Sequence, residues 1–229
     1  MPRRPDLSRL TSPPLRTPAL DAYTPQERAL IARLKTPQQV QEYLHRLEYN
    51  RDKTLRTFRG VIAEGSAHCL EAVFFTAAIL EHHGYPPAVL DIESDDGLDH
   101  VLFLFQRDGR WGTVARSRDY GLHGRRPVFS TIRKLVESYK DAYVDGSGRV
   151  NGYGVAHLDL LTSANWRLSR RSVWQVERAL IDMPHYPSPM GEARYQRMLR
   201  RFMAFKSSGA PVNRRSMDAL YGEQTKRWW

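Results

Sequence analysis

The chain has 229 residues, 41% of them apolar, and a net charge of +10, which is enough length and apolar content for one large domain with its own core. That composition excludes a chain disordered throughout, and no apolar run is long enough to cross a bilayer. A single cysteine excludes an internal disulfide.

The charge is segregated. Residues 1–16 hold four Arg and one Asp, residues 17–162 hold 18 basic and 19 acidic residues, and residues 163–229 hold 13 basic and five acidic ones. A balanced middle with basic ends suggests a catalytic or binding core carrying a basic appendage. The basic N-terminus has no apolar stretch of the secretory kind, and the lone cysteine fits a reducing compartment, so the expected location is the cytoplasm.

In chain order, residues 1–20 contain five prolines and few large apolar groups, and read as a flexible, basic, Pro-rich arm. Thr24-Pro25 and Thr36-Pro37 each open a helix, with Thr as the cap and Pro in the first helical position. The second helix extends to about residue 49 on a stripe of Val40, Tyr43, Leu44 and Leu47. Ser66 is the expected cap of a helix over 67–83, ended by Gly84 and Pro86-Pro87. This helix is apolar on nearly every side, so it belongs in the interior, with Cys69 in its first turn.

Strands are expected at 88–93 and 100–105, separated by an acidic loop at 94–99, and then at 111–116 after a turn at Arg107-Asp108-Gly109-Arg110. A helix over 130–139, a short strand at 156–161, and helices near 173–183, 192–206 and 217–221 complete the reading. Helix, antiparallel strands, then helices points to an α+β fold. The expected organisation is the arm 1–20, a core domain 21–162 and a basic helical extension 163–229.

The chemistry centres on Cys69. The first turn of a helix offers free N–H groups and the positive end of the dipole, which favour a thiolate and can receive an oxyanion formed beside the sulfur. A thiol nucleophile also needs a base. His68 adjoins Cys69 but, at helical spacing, points about 100° away, which makes it a poor base. His100 heads a strand just after the acidic turn, at a sheet end that a helix N-terminus can meet. The hairpin sets residues 115–119 across from His100, and alternation groups Ala115, Ser117 and Asp119. Ala115 can orient nothing, which leaves Ser117 or Asp119 to hold the imidazole, or no side chain at all.

The stretch from Gly65 to Ser117, GSAHCLEAVFFTAAILEHHGYPPAVLDIESDDGLDHVLFLFQRDGRWGTVARS, resembles the core of the bacterial transglutaminase-like superfamily. The resemblance implies a papain-like α+β fold with a Cys-His-Asp triad in chain order, and Cys69 and His100 match it. Trp111-Gly112-Thr113-Val114-Ala115 departs from it, with alanine where the family has aspartate. No Gln or Asn lies between Arg51 and Phe105 to act as a side-chain oxyanion donor. The backbone N–H of Cys69, aided by Ser66 or His68, would take that role. The implied activity is cleavage or exchange of a peptide or protein amide through a Cys69 thioester, with His100 as base and acid. The alternatives are an inactive transglutaminase-like binding module, and a nucleic-acid-binding protein.

Neither a metal nor a cofactor is expected. The acidic loop fails the EF-hand spacing, and one Cys without close His pairs makes no zinc site. The C-terminal region interleaves Arg194, Arg197, Arg200 and Arg201 with aromatic residues, a pattern suited to nucleic acid or an anionic surface. The favoured reading of the same pattern is a solvated amphipathic helix packed on the core.

Overall fold

A computed structural model describes residues 7–145 and 147–229. Helices α1 (Leu7–Leu10), α2 (Pro25–Arg33), α3 (Pro37–Leu44) and α4 (Phe58–Glu64) lead to α5 (Cys69–Leu80). Strands β1 (Ala88–Ser94), β2 (His100–Arg107), β3 (Arg110–Val114) and β4 (Arg125–Phe129) follow. After α6 (Ile132–Glu137) and α7 (Lys140–Tyr143) come β5 (Val150–His157), α8 (Leu158–Leu161), α9 (Trp174–Asp182) and β6 (Tyr186–Pro187). Helices α10 (Glu192–Ser207) and α11 (Arg214–Tyr221) end the series. The fold is α+β: one antiparallel sheet in the order β4-β3-β2-β1-β5-β6, with helices on both faces.

Several elements follow directly from local chemistry. Thr24 and Thr36 accept the N–H groups of Glu27 and Gln39, whose side chains return the bond to the cap, and Pro25 and Pro37 fill the first helical positions. The β2–β3 turn has Asp108 and Gly109 at φ 51° and 68°, the pair of positive angles that a tight two-residue hairpin requires. The α3 helix ends at Leu44, short of the expected 49.

Helix α5 is buried from Leu70 to Leu80, as its lack of a polar face demands. Burying each of its larger side chains contributes about 1.5–3 kcal/mol. It packs with Val89, Phe103, Phe105 and Val114 on one face of the sheet. Leu90, Leu102 and Leu104 alternate onto the other face, under Leu135, Val136, Met198, Met217 and Leu220.

Three regions differ from the reading of the sequence. Residues 1–6 of the expected arm lie outside the described residues, but residues 7–20 are anchored. Asp159 accepts the N–H groups of Leu15 and Arg16 at 2.9 and 3.3 Å, His157 Nε2 donates to the Ser12 carbonyl at 3.1 Å, and Thr17 bonds Glu81. The strand expected at 156–161 is β5 followed by helix α8. Its glycines concealed it: a Cβ at Gly152 or Gly154 would come within 2.4 Å of Glu93 Oε2 or Met183 Cε. The segment 163–229, expected as an extension, supplies Trp166, Val176 and Leu180 to one core layer and Met198, Leu220 and Trp228 to the other.

Candidate active site

The stretch before α5 is fixed by backbone pairing. Ala67 N–H donates to Glu48 and Asn50 N–H to Ala67, so residues 48–50 run beside 66–67. The helix begins at Cys69, and its cap is His68, not Ser66. Ser66 lies before the helix, with its hydroxyl bonded to Arg56 Nη1 at 2.9 Å. The reason is Glu71 at the third helical position, whose carboxylate accepts the His68 N–H at 3.1 Å.

That one shift of the cap also overturns the expectation that His68 points away from Cys69. The backbone of His68 is extended (φ −89°, ψ −176°), so the helical 100° step does not apply between the two residues. His100 and His68 are the two side chains that act on the Cys69 sulfur. Burial raises the Cys69 pKa, but the polar contacts and charges of the two rings, His100 ahead of His68, overcome it and bring the thiol down to about 5. Burial lowers the His68 pKa, and its contacts with Cys69 and Glu71 outweigh this, leaving His68 at about 8.

Each imidazole is held from behind. His100 is buried at the first position of β2, and its Nε2 lies 2.7 Å from the Leu122 carbonyl. His68 Nε2 lies 3.0 Å from the Thr54 carbonyl and 3.6 Å from Glu71 Oε1. A carbonyl only accepts, so each Nε2 carries its hydrogen and each Nδ1 is left for the sulfur. Glu71 is fully buried, and besides the His68 N–H it accepts Asn50 Nδ2, Thr54 Oγ1 and Arg56 N–H at 2.8–2.9 Å.

Ser117 and Asp119 stand in the same cleft but are occupied otherwise. Ser117 Oγ accepts the Asp119 N–H at 3.1 Å, and the Asp119 carboxylate pairs with Arg118 at 3.0 Å. Ala115 is buried, with its N–H and carbonyl both bonded to the Gln41 side chain at 3.0 and 2.9 Å. The orienting partner of His100 is therefore a main-chain carbonyl, which no residue type in the sequence signals. Asn50, Glu71 and the cap position of His68 also went unread, although Glu71 three residues after His68 carries the spacing of a reciprocal cap.

The cavity over Cys69 and His100 has a volume of about 270 Å³. One side is formed by Asp96, Leu98 and Asp99 with Tyr143 and Asp145, another by residues 117–122 with Tyr49. Phe202 and Phe205 of α10 and Leu220 and Tyr221 of α11 close it. The C-terminal helices are thus part of the cleft. Their basic face is partly neutralised: Arg194 pairs with Glu137 and Asp141, and Arg214 with Asp218. Among the described residues no three His, Cys, Asp or Glu side chains are grouped to hold a metal, and no helix is long and apolar enough to cross a membrane.

Neither the protein-family profiles nor the curated proteins compared with the sequence give a match. Among solved structures, EGTA-treated LapG of Legionella pneumophila is similar at 11% identity and a TM-score of 0.35, over 78% of this chain and 92% of LapG. The functional reading accordingly rests on the site itself.

Proposed function

We propose that the chain is a transglutaminase-like cysteine hydrolase or acyltransferase acting on a peptide or protein amide. The observation that carries this reading is Cys69 at a helix N-terminus sharing one cleft with His100, whose ring, together with that of His68, brings the thiol down to about 5.

The Cys69 thiolate adds to the carbonyl carbon, and the carbonyl π pair moves onto oxygen. The Cys69 N–H, which has no intrahelical partner in the first turn, faces that developing charge. His100 gives a proton to the departing amine as the C–N bond breaks, leaving a thioester on the sulfur. Water or an amine then gives its proton to His100, adds to the thioester and releases Cys69. Leu122 keeps the His100 ring in register through both halves. Ser117 and Asp119 shape the cleft wall in this scheme, and neither bears on the imidazole.

An activated ester tests the reading without knowledge of the natural substrate. With p-nitrophenyl acetate, a burst of about one equivalent of nitrophenol per chain is expected from acyl-enzyme formation. Cys69→Ala should abolish it while the circular dichroism spectrum is unchanged. No burst, together with alkylation of Cys69 by iodoacetamide slower than that of a free thiol, would overturn the reading.

A further inference from the structure

The site has two imidazoles on one sulfur, but their supports differ in kind. His100 is backed by a neutral carbonyl, whereas His68 is backed by a carbonyl and by the buried carboxylate of Glu71. A carboxylate stabilises an imidazolium far more than a carbonyl dipole does, particularly where solvent is excluded. The charge that a Cys-His-Asp arrangement would bring to the proton-transferring histidine is here delivered to the other one.

We propose that His68, paired with Glu71, is a second catalytic imidazole, which supplies the standing positive charge that keeps Cys69 ionised while His100 moves the proton. The proposal rests on the acyl-transfer reading for its purpose, though its test does not require turnover. It separates two tasks that a single histidine would have to combine. An imidazolium locked to the thiolate is a poor proton shuttle, because giving up its proton removes the charge that stabilises the nucleophile. With His68 holding the charge, His100 is free to give a proton to the leaving amine and take one from water.

The groups facing the pair agree with this division. Tyr49 shares the cleft, and burial foremost raises its pKa to about 12, so it is uncharged at neutral pH. Tyr143 and Asp91 lie farther off, where burial foremost, with a smaller contribution from Cys69, raises the pKa of each. Arg118 is tied to Asp119 at the cleft wall. Glu71 cannot swing away, because four donors hold it.

Thiolate absorbance near 240 nm, followed against pH without substrate, reads the charge of Cys69 directly. The native protein should show a midpoint near pH 5, and His68→Gln should raise it by at least one pH unit, a tenfold loss of thiolate at mildly acidic pH. Turnover of the activated ester by His68→Gln should recover as pH is raised and the thiol ionises, whereas His100→Gln should stay inactive at every pH. A midpoint unmoved by His68→Gln would overturn the proposal, as would failure of its turnover to recover at high pH while His100→Gln stayed active. If neither the native protein nor any variant turned over the ester, but the midpoint shifted as stated, the acyl-transfer reading would fall and the role of His68 would stand. Should His68→Gln not fold, imidazole carbon NMR of the native protein serves instead. The His68 pKa, about 8 beside the thiolate, should fall once iodoacetamide has capped the sulfur, and a value unchanged by capping would overturn the proposal.

Discussion

His100 Nε2 donates to the carbonyl oxygen of Leu122 at 2.7 Å, and this bond settles which face of the ring meets Cys69. The nitrogen that carries the hydrogen is committed to the main chain, and only Nδ1 remains for the sulfur. Among the described residues no carboxylate is hydrogen-bonded to the ring, which the carbonyl alone orients. A catalytic imidazole that must be protonated and deprotonated in each cycle gains from such a partner, since a carboxylate there would bias it toward the charged form.

Ser117→Ala and Asp119→Asn should therefore each leave turnover of an activated ester within about threefold of the native value, because neither side chain touches the imidazole. His100→Ala should lower it by at least 100-fold, the ordinary contribution of a positioned acid–base group. Steady-state rates on the three variants check this, and a 100-fold loss in Asp119→Asn would assign the third triad position to that residue.

The pH dependence follows from the two opposed shifts. The folded chain ionises Cys69 at about 5 against an ordinary 9.0, and holds the His68 proton to about 8 against an ordinary 6.5. Between about pH 5 and 6.5 the unfolded chain carries an extra proton on the thiol, so stability should rise with pH. Between 6.5 and 8 the folded chain retains the histidine proton that the unfolded chain loses, and the two effects cancel. Chemical denaturation at pH 5, 6, 7 and 8 should show midpoints that climb and then level off. Iodoacetamide reactivity should rise through pH 5 and be flat at neutrality.

Glu71 is fully buried and satisfied only as an acceptor, with four donors aimed at its two oxygens. Glu71→Gln turns one oxygen into an NH₂ group facing other donors. Each oxygen accepts two donors, so the NH₂ group faces two of them, and the expected cost is about 3 kcal/mol. Calorimetry should show a melting temperature lower by roughly 6–12 °C, at about 2–4 °C per kcal/mol for a chain of this size.

The parts of the site legible in the sequence are those with local signals. The unbroken apolar run after Cys69 marks a buried helix, and the acidic turn before His100 marks a strand start, which together bring the pair to one end of a sheet. The Thr-Pro caps and the Asp108-Gly109 turn are equally local. What escaped depends on backbone groups or on distance along the chain. The Leu122 carbonyl could belong to any residue type, and Asn50 reaches Glu71 across 21 positions. Strand β4 contains Pro127 and a buried arginine, the opposite of a strand signature, and its place was unreadable before the fold existed.

That arginine, Arg125, bears on the site through the loop it holds. It is fully buried between the rings of Tyr139 at 3.9 Å and Trp228 at 4.6 Å, and no carboxylate pairs with it among the described residues. Its guanidinium instead donates to the carbonyls of Gly121 and His123 at 2.7 Å and of Ser138 at 3.3 Å. Residues 121 and 123 flank Leu122, so the fork that binds their carbonyls also fixes the one that His100 uses. Burial lowers the Arg125 pKa to about 10, which leaves it charged at neutral pH. Arg125→Lys keeps a charge but cannot span both carbonyls and stack between two rings. It should cost on the order of 3 kcal/mol of stability. It should also reduce ester turnover more than tenfold at temperatures where the variant remains folded, and the thiolate midpoint should rise as far as His100 is displaced, since that ring also lowers the Cys69 pKa. Melting curves, rates and 240 nm titration on the one variant test this together, and a stable variant with native turnover would refute it.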